Sequence, residues 1–155
     1  MTDAKQTLDE ILGDARVAMV TIVAGGGQLE SRPMTVQEYD NGVLRFLTTN
    51  DTTLGTLADG TTVNAAVVNS NEWVSVAGRS RVTSDVELKR RMWSLPNNVF
   101  MDRDAEDPSV VVFELVAKSA SFWDTPGTPG TLLGLIKGAI SDDAPDLGEQ
   151  HDVEL

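Results

Sequence analysis

The sequence holds no cysteine and one histidine. Without cysteine there is no disulfide, no thiolate nucleophile and no cysteine-ligated zinc, and the chain is indifferent to the redox state of its compartment. A lone histidine cannot form the clustered ligand set that a transition metal needs. Asp102, Asp104, Glu106 and Asp107 lie close together but lack the spacing and the glycine of an EF-hand. Aromatic residues make up only 5% of the chain. No apolar run approaches the ~18 residues of a membrane-spanning helix. The opening Met1-Thr2-Asp3-Ala4-Lys5-Gln6 is unlike a secretory leader, so a cytoplasmic location is the expectation. Bases are few, 12 against 24 acids, for a net charge of −12. Residues 141–155 contain six acids and no Lys or Arg, hence −6; the other 140 residues carry 18 acids and 12 bases, again −6. Half of the excess is therefore a tail, and neither half offers the basic face on which nonspecific nucleic-acid binding depends.

What is present is a strand-rich chain of 155 residues, one domain by length and large enough to bury a core. Leu8, Ile11 and Leu12 recur at i, i+3 and i+4 and predict a short amphipathic helix over 3–14. Residues 16–24 are β-branched and nearly continuous, which predicts a strand buried on both faces. Gly25-Gly26-Gly27 lacks the lysine and following helix of a P-loop and reads as a hairpin turn. A second hairpin spans about Gln28 to Thr49 across Asp40-Asn41-Gly42, where Asn-Gly accepts the positive φ angles of a type I′ turn. Residues 51–59, ending at Gly60, read as a short helix with a glycine stop. Residues 63–68 and 72–83 form a third hairpin. In its second arm Val74, Val76, Gly78, Ser80 and Val82 share one face, and Gly78 marks a bulge or bend. A helix over 85–93 turns Leu88, Met92 and Trp93 inward and Lys89-Arg90-Arg91 outward. The last clear strand covers 109–117 and extends toward 124. The acidic end is expected to be disordered after residue 141. Six strands with short helices at the start, after the third strand and after the fifth describe an α+β, mainly β, small barrel, closed or split.

One corner stands out. With the arms 28–39 and 43–49 paired, Arg32 comes to the same open end as Thr48, Thr49, Asn50, Thr52 and Thr53. A cation facing hydroxyls and the N–H groups of the following helix suits a phosphate. The plainer reading of the same residues is a surface arginine beside a threonine-rich loop.

The ordered landmarks Arg32-Pro33-Met34, Phe46-Leu47-Thr48-Thr49, Val74 to Arg79 with Val82 and Asp85, Leu88-Lys89, Trp93, Asp107-Pro108 and Phe122-Trp123-Asp124 resemble the general stress protein branch of the pyridoxamine-phosphate oxidase-like split barrels. The likeness covers roughly residues 5–124. It implies a six-stranded antiparallel split β-barrel over 1–124, with 125–155 as a C-terminal extension. It also implies a homodimer holding FMN in a groove between subunits. Carried over by position, Arg32 matches the arginine beside the flavin, Pro33 and Met34 its neighbours along the isoalloxazine edge, and Thr48 and Thr49 the hydroxyls at the phosphate end. The expected contact set is Ser31, Arg32, Pro33, Met34, Phe46, Leu47, Thr48, Thr49, Thr53, Leu54 and Trp123. Trp93 and Trp123 match family tryptophans whose ordinary use is packing.

Two departures qualify the likeness. Family members commonly place a lysine a few residues after the Thr-Thr pair. Here the stretch is Asp51-Thr52-Thr53-Leu54-Gly55, with no base until Arg79, so weaker FMN binding is expected. The C-terminal arginine–histidine motif of true pyridoxamine-phosphate oxidases is also missing. His151 stands in the acidic tail as a bystander, and vitamin B6 oxidation is not expected. The resulting expectation is a flavin-dependent oxidoreductase acting on a small molecule, with no catalytic acid or base evident. The alternative is a non-enzymatic dimeric protein that binds a flavin or another small anion.

Overall fold

The computed structural model describes residues 2–69, 72–93, 103–124 and 149–155. Helix α1 (Thr2–Gly13) forms where the apolar spacing requires it, and Leu8, Ile11 and Leu12 are buried while Lys5–Asp9 and Gln6–Glu10 bond along its wet side. It is tied down at two points. Tyr39 donates to Asp9, and the Asn69 side-chain amide donates to the Ile11 carbonyl at 2.9 Å.

Strands β1 (Val17–Val23) and β2 (Leu29–Thr35) pair in register from Val17↔Thr35 to Val23↔Leu29. A 3-10 turn at Gly25–Gly27 joins them, with φ of 78° and 81° at Gly26 and Gly27, so the glycine run is the expected hairpin turn. β1 is not buried on both faces. Ala18, Val20 and Ile22 face the core, whereas Val17, Met19 and Val23 are exposed, because only one side of this sheet is covered.

The expected 28–49 hairpin is also corrected. Its first arm breaks at Val36–Gln37 into β2 and a short β3 (Glu38–Asp40), and only β3 pairs with β4 (Val43–Thr49). The turn between them is as expected, with φ of 46° at Asn41 and 83° at Gly42. After β4, residues 51–59 form turns and not a helix. Thr52 and Thr56 hydroxyls bond the carbonyls of Thr49 and Thr52 at 2.8 and 2.9 Å, and the Gly55 amide bonds the Thr52 hydroxyl at 3.0 Å. Threonine hydroxyls thus compete with helical bonding for the backbone.

Strands β5 (Thr62–Asn69), β6 (Glu72–Thr83) and β7 (Val110–Asp124) form the centre of the sheet. β6 buries the predicted face, and the register shifts between Ala77 and Gly78. A Cβ on Gly78 would lie 2.1 Å from the Val116 carbonyl oxygen, which is why glycine stands there. Helix α2 (Val86–Trp93) packs Leu88, Met92 and Trp93 on the outer side of the sheet against Leu47, Val110 and Val112. Lys89 is not outward as expected. It is buried, with its ammonium donating to the carbonyls of Asp107 and Val110 at 3.1 and 3.0 Å.

Strand β8 (Glu149–Glu154) pairs with the end of β7, from Ser119↔Glu154 to Asp124↔Glu149. The expected disorder after 141 does not hold for this segment. Val153 joins the core, and His151 stacks on Phe122 with centroids 4.8 Å apart. Residues 125–148 lie outside the described residues, as does the small apolar stretch 132–140 within them.

The eight strands run in the order β2-β1-β5-β6-β7-β4-β3, with β8 on the second half of β7. The two ends of this curled sheet, β2 and β3, are consecutive in the chain. Their link is bonded on both sides, Val36 N–H to the Arg16 carbonyl and Gln37 N–H to the Arg45 carbonyl, each at 2.9 Å. No ladder joins β2 to β4 among the described residues. The fold is therefore a split β-barrel, as the family resemblance implied, with two more strands than expected; it is closed at Val36–Gln37 and open along the β2/β4 seam, where a paired hairpin was expected. Among the described residues no helix is long and apolar enough to cross a membrane.

Candidate functional site

The seam gathers most of the predicted contact residues, though not through the expected pairing. Arg32 stands opposite Val20 of β1, on the barrel side of β2, and Met34 stands opposite Ala18 and packs against the core. Ser31 and Pro33 fall on the other side, and the Ser31 hydroxyl bonds that of Thr21 at 2.6 Å. The Arg32 guanidinium is about one-third exposed and its ion pair is with Glu30 at 4.0 Å. Among the described residues no hydrogen bond or ion pair links it to Thr48 or Thr49. Arg32 and Thr49 both lie away from the Gln37–Arg45 bond in the direction in which the seam opens, one on each bank.

On the far bank Phe46, Leu47 and Leu54 are buried. Phe46 leans on Phe113 at 6.1 Å and Leu47 lies under α2. Their side chains belong to the core, so what they present to the seam is backbone. Thr48 is buried, and its hydroxyl lies 2.8 Å from that of Thr52. Because Thr52 donates its own proton to the Thr49 carbonyl, Thr48 is the donor of that pair. The Thr49 hydroxyl donates to the Asp51 carboxylate, which its bond to Thr49 and to its own backbone N–H holds below the usual carboxylate range. Thr53 is exposed. The loop is tightly folded: a Cβ on Gly55 would lie 2.0 Å from the Thr49 carbonyl oxygen. Trp123 is not on the seam by register. It is half-buried in β7 between Trp73 of β6 and Gln150 of β8.

Three features were not found by reading the sequence. Gln37, at the closed end of the seam, is buried, and among the described residues its Oε1 accepts no hydrogen bond. Such an acceptor is costly unless something with an N–H or O–H group meets it. A glutamine next to Val36 carries no sequence signal of burial. The second feature is Arg103, which approaches the loop after β4 from the segment before β7. Its Nη1 donates to the Ser109 hydroxyl at 2.6 Å, while the Ser109 carbonyl accepts from Asn50 N–H at 2.8 Å. The third is an ion cluster beneath the outer face, in which Glu114 accepts from Arg45 Nε at 2.7 Å and from Arg81 Nε at 2.8 Å.

A flavin needs a place for its phosphate and donors and acceptors for the polar edge of its ring. Arg32 fits the first, and the unpaired Gln37 acceptor fits an N–H of the second. Asp51 and Glu30 oppose a phosphate, since each already occupies a hydroxyl or a cation that the phosphate would use.

The family model described as "Pyridoxamine 5'-phosphate oxidase like" matches residues 3–146. The solved structure of a general stress protein 26 from Jannaschia sp. CCS1 is 26% identical, with all of both chains covered and a TM-score of 0.75. A general stress family protein from Xanthomonas campestris pv. campestris is 25% identical over 83% of this chain and 93% of its own, with a TM-score of 0.67. The general stress FMN/FAD binding protein of Xanthomonas citri shares the fold at 22% identity over 83% and 93%, with a TM-score of 0.70. No curated protein matches the sequence.

Proposed function

The chain belongs to the pyridoxamine 5'-phosphate oxidase-like family, and from that premise we propose that it binds FMN as a homodimer and serves as a flavin-dependent oxidoreductase for a small molecule. The observation that carries the reading is the buried, unpaired Gln37 acceptor at the closed end of a seam whose bank holds Arg32. The name of the Xanthomonas citri protein, which shares the fold, gives the same class of ligand. Arg32 would hold the phosphate through charge-assisted bonds. Gln37 would accept from the ring, and the backbone of 46–49 would line the opposite bank. When bound, the isoalloxazine ring supplies the electron transfer, and the protein positions it.

A second copy is the proposed cover for the outer face of β1, β2 and β5. Val17, Met19, Val23, Leu29 and Val68 are 43–68% exposed there. Apolar residues grouped on one sheet face mark an interaction surface more often than scattered single ones do. The non-enzymatic alternative, a weak flavin or anion binder, is favoured by one observation: the carboxylates of Asp51 and Glu30 on the phosphate partners.

The test is direct. Purified protein titrated with FMN should quench flavin fluorescence with a saturable midpoint, and Arg32→Ala should weaken that binding by about 1.5–3 kcal/mol, the worth of a charge-assisted bond. A protein that ignores millimolar FMN would overturn the reading. Bleaching of the bound flavin by a nicotinamide donor would favour the enzyme over the binder. A solution mass of one chain would remove the proposed dimer.

A further inference from the structure

The loop after β4 carries the donors expected of a phosphate site, and those donors are already in use. Thr49 gives its hydroxyl proton to Asp51, Thr52 gives its proton to the Thr49 carbonyl, and Thr48 gives its proton to Thr52. Asp51 is exposed, so its carboxylate is held there by the Thr49 hydroxyl and not by packing. Arg103 is brought toward the same loop by the Asn50–Ser109 bond and its own bond to Ser109. A donating hydroxyl on the carboxylate, with the Arg103 guanidinium brought toward the same loop, resembles the surroundings of a bound anion, and here the anion belongs to the protein.

We infer that Asp51 is a specificity-determining residue, an internal anion that occupies the Thr49 corner and sets the preference between flavins with and without a phosphate. This deepens the flavin reading and rests on it. A ligand phosphate entering the corner must either turn the Asp51 side chain off Thr49 or lie beside its negative charge. A flavin with an uncharged ribityl tail meets neither obstacle. The residue therefore lowers affinity for FMN without touching the ring. Glu30 acts in the same sense on Arg32, but across 4.0 Å and in a half-exposed pair, where screening leaves it little effect.

Two substitutions separate charge from occupancy. Asp51→Asn keeps an oxygen to accept from Thr49 and removes only the charge. Asp51→Ala removes both and frees the Thr49 hydroxyl. Dissociation constants for FMN and for riboflavin are measured by fluorescence on the 155-residue chain. Asp51→Asn should tighten FMN by about fivefold, the scale of removing exposed charge repulsion against a phosphate dianion. Asp51→Ala should tighten it further, and riboflavin should stay within twofold of the parent in both.

Equal tightening of both flavins, or no change in the FMN-to-riboflavin ratio, would overturn the inference while leaving the flavin reading intact. If neither protein binds either flavin, inorganic phosphate decides. Amide shifts at Thr49–Thr52 that saturate at lower phosphate in Asp51→Ala than in the parent would discard the flavin reading, and the flavin preference with it, while upholding Asp51 as an internal anion in the Thr49 corner. No such difference would discard both. Melting temperature serves as the folding control, and an exposed side chain should leave it unchanged.

Discussion

Replacing Glu114 by glutamine removes one charge from a row of three side chains in register across β6, β7 and β4. Arg81, Glu114 and Arg45 lie side by side, and the carboxylate accepts one guanidinium Nε from each neighbour. Its side chain is only 4% exposed and Arg45 is 13% exposed, so water replaces little of what is lost. Glutamine offers one oxygen where two were used and turns an NH2 toward a guanidinium that can only donate. Breaking a buried pair by removing one partner costs about 3–5 kcal/mol. Two features place this case near the lower end: Arg45 keeps Glu38 at 2.6 Å, and Arg81 is half-exposed and can be hydrated. The expected loss is about 3 kcal/mol, or about 6–12 °C in melting temperature for a domain of this size. Urea denaturation followed by tryptophan fluorescence measures it. A loss below about 1 kcal/mol would refute the view that the carboxylate is held dry between the two arginines. The pH dependence gives a second check. Burial pushes the Glu114 carboxyl up, but the bonds and charges of Arg81 and Arg45 more than offset this and leave it below its ordinary value of 4.5. Its contribution is therefore fully present above that pH and lost as pH falls through the depressed folded value. Parent and variant stabilities should converge in acid and separate toward neutrality.

The other expectations are briefer. Tyr39 is the only tyrosine, so its ionisation can be followed by absorbance without overlap. Burial, and then its bond to Asp9, raise its pKa, so the tyrosinate signal should appear well above pH 10, and stability should be full below pH 10 and fall as pH rises further. A midpoint at or below 10 would mean that α1 is not docked through that bond. Gly78→Ala should fail to give a folded protein, because the new Cβ meets the Val116 carbonyl at 2.1 Å in the longest strand pair. A cooperative thermal transition within a few degrees of the parent would show that the bulge can relax.

Much of the scaffold was legible because the signals are local. The i, i+3, i+4 spacing of Leu8, Ile11 and Leu12 requires one buried helix face whatever it packs against. Asn41-Gly42 and Gly26-Gly27 demand turns because their φ angles are positive. The alternation in β6 and the glycine that breaks it were visible because strand periodicity and the missing Cβ act at the residue itself. The family likeness then placed the landmarks in order along a split barrel.

Choices among distant partners were not legible. Whether β2 pairs with β4 or with β1 depends on which ladder closes better in three dimensions, and the break at Val36–Gln37 leaves both edges bonded. Lys89 looks like a surface base in sequence and is buried because two carbonyls near the start of β7 need its donors. His151 looks like part of a solvated tail, and its segment becomes a strand because the end of β7 offers an edge to pair with. The sequence by itself determined α1, α2, the central strands, the glycine turns and the residue types along the seam. Only the tertiary structure decided which backbone edges meet, and with that it put a Gln37 acceptor unpaired among the described residues at the seam and the Asp51 carboxylate on the Thr49 hydroxyl. The reason is physical: side-chain chemistry and φ preferences belong to single residues, whereas hydrogen-bond satisfaction belongs to the whole fold.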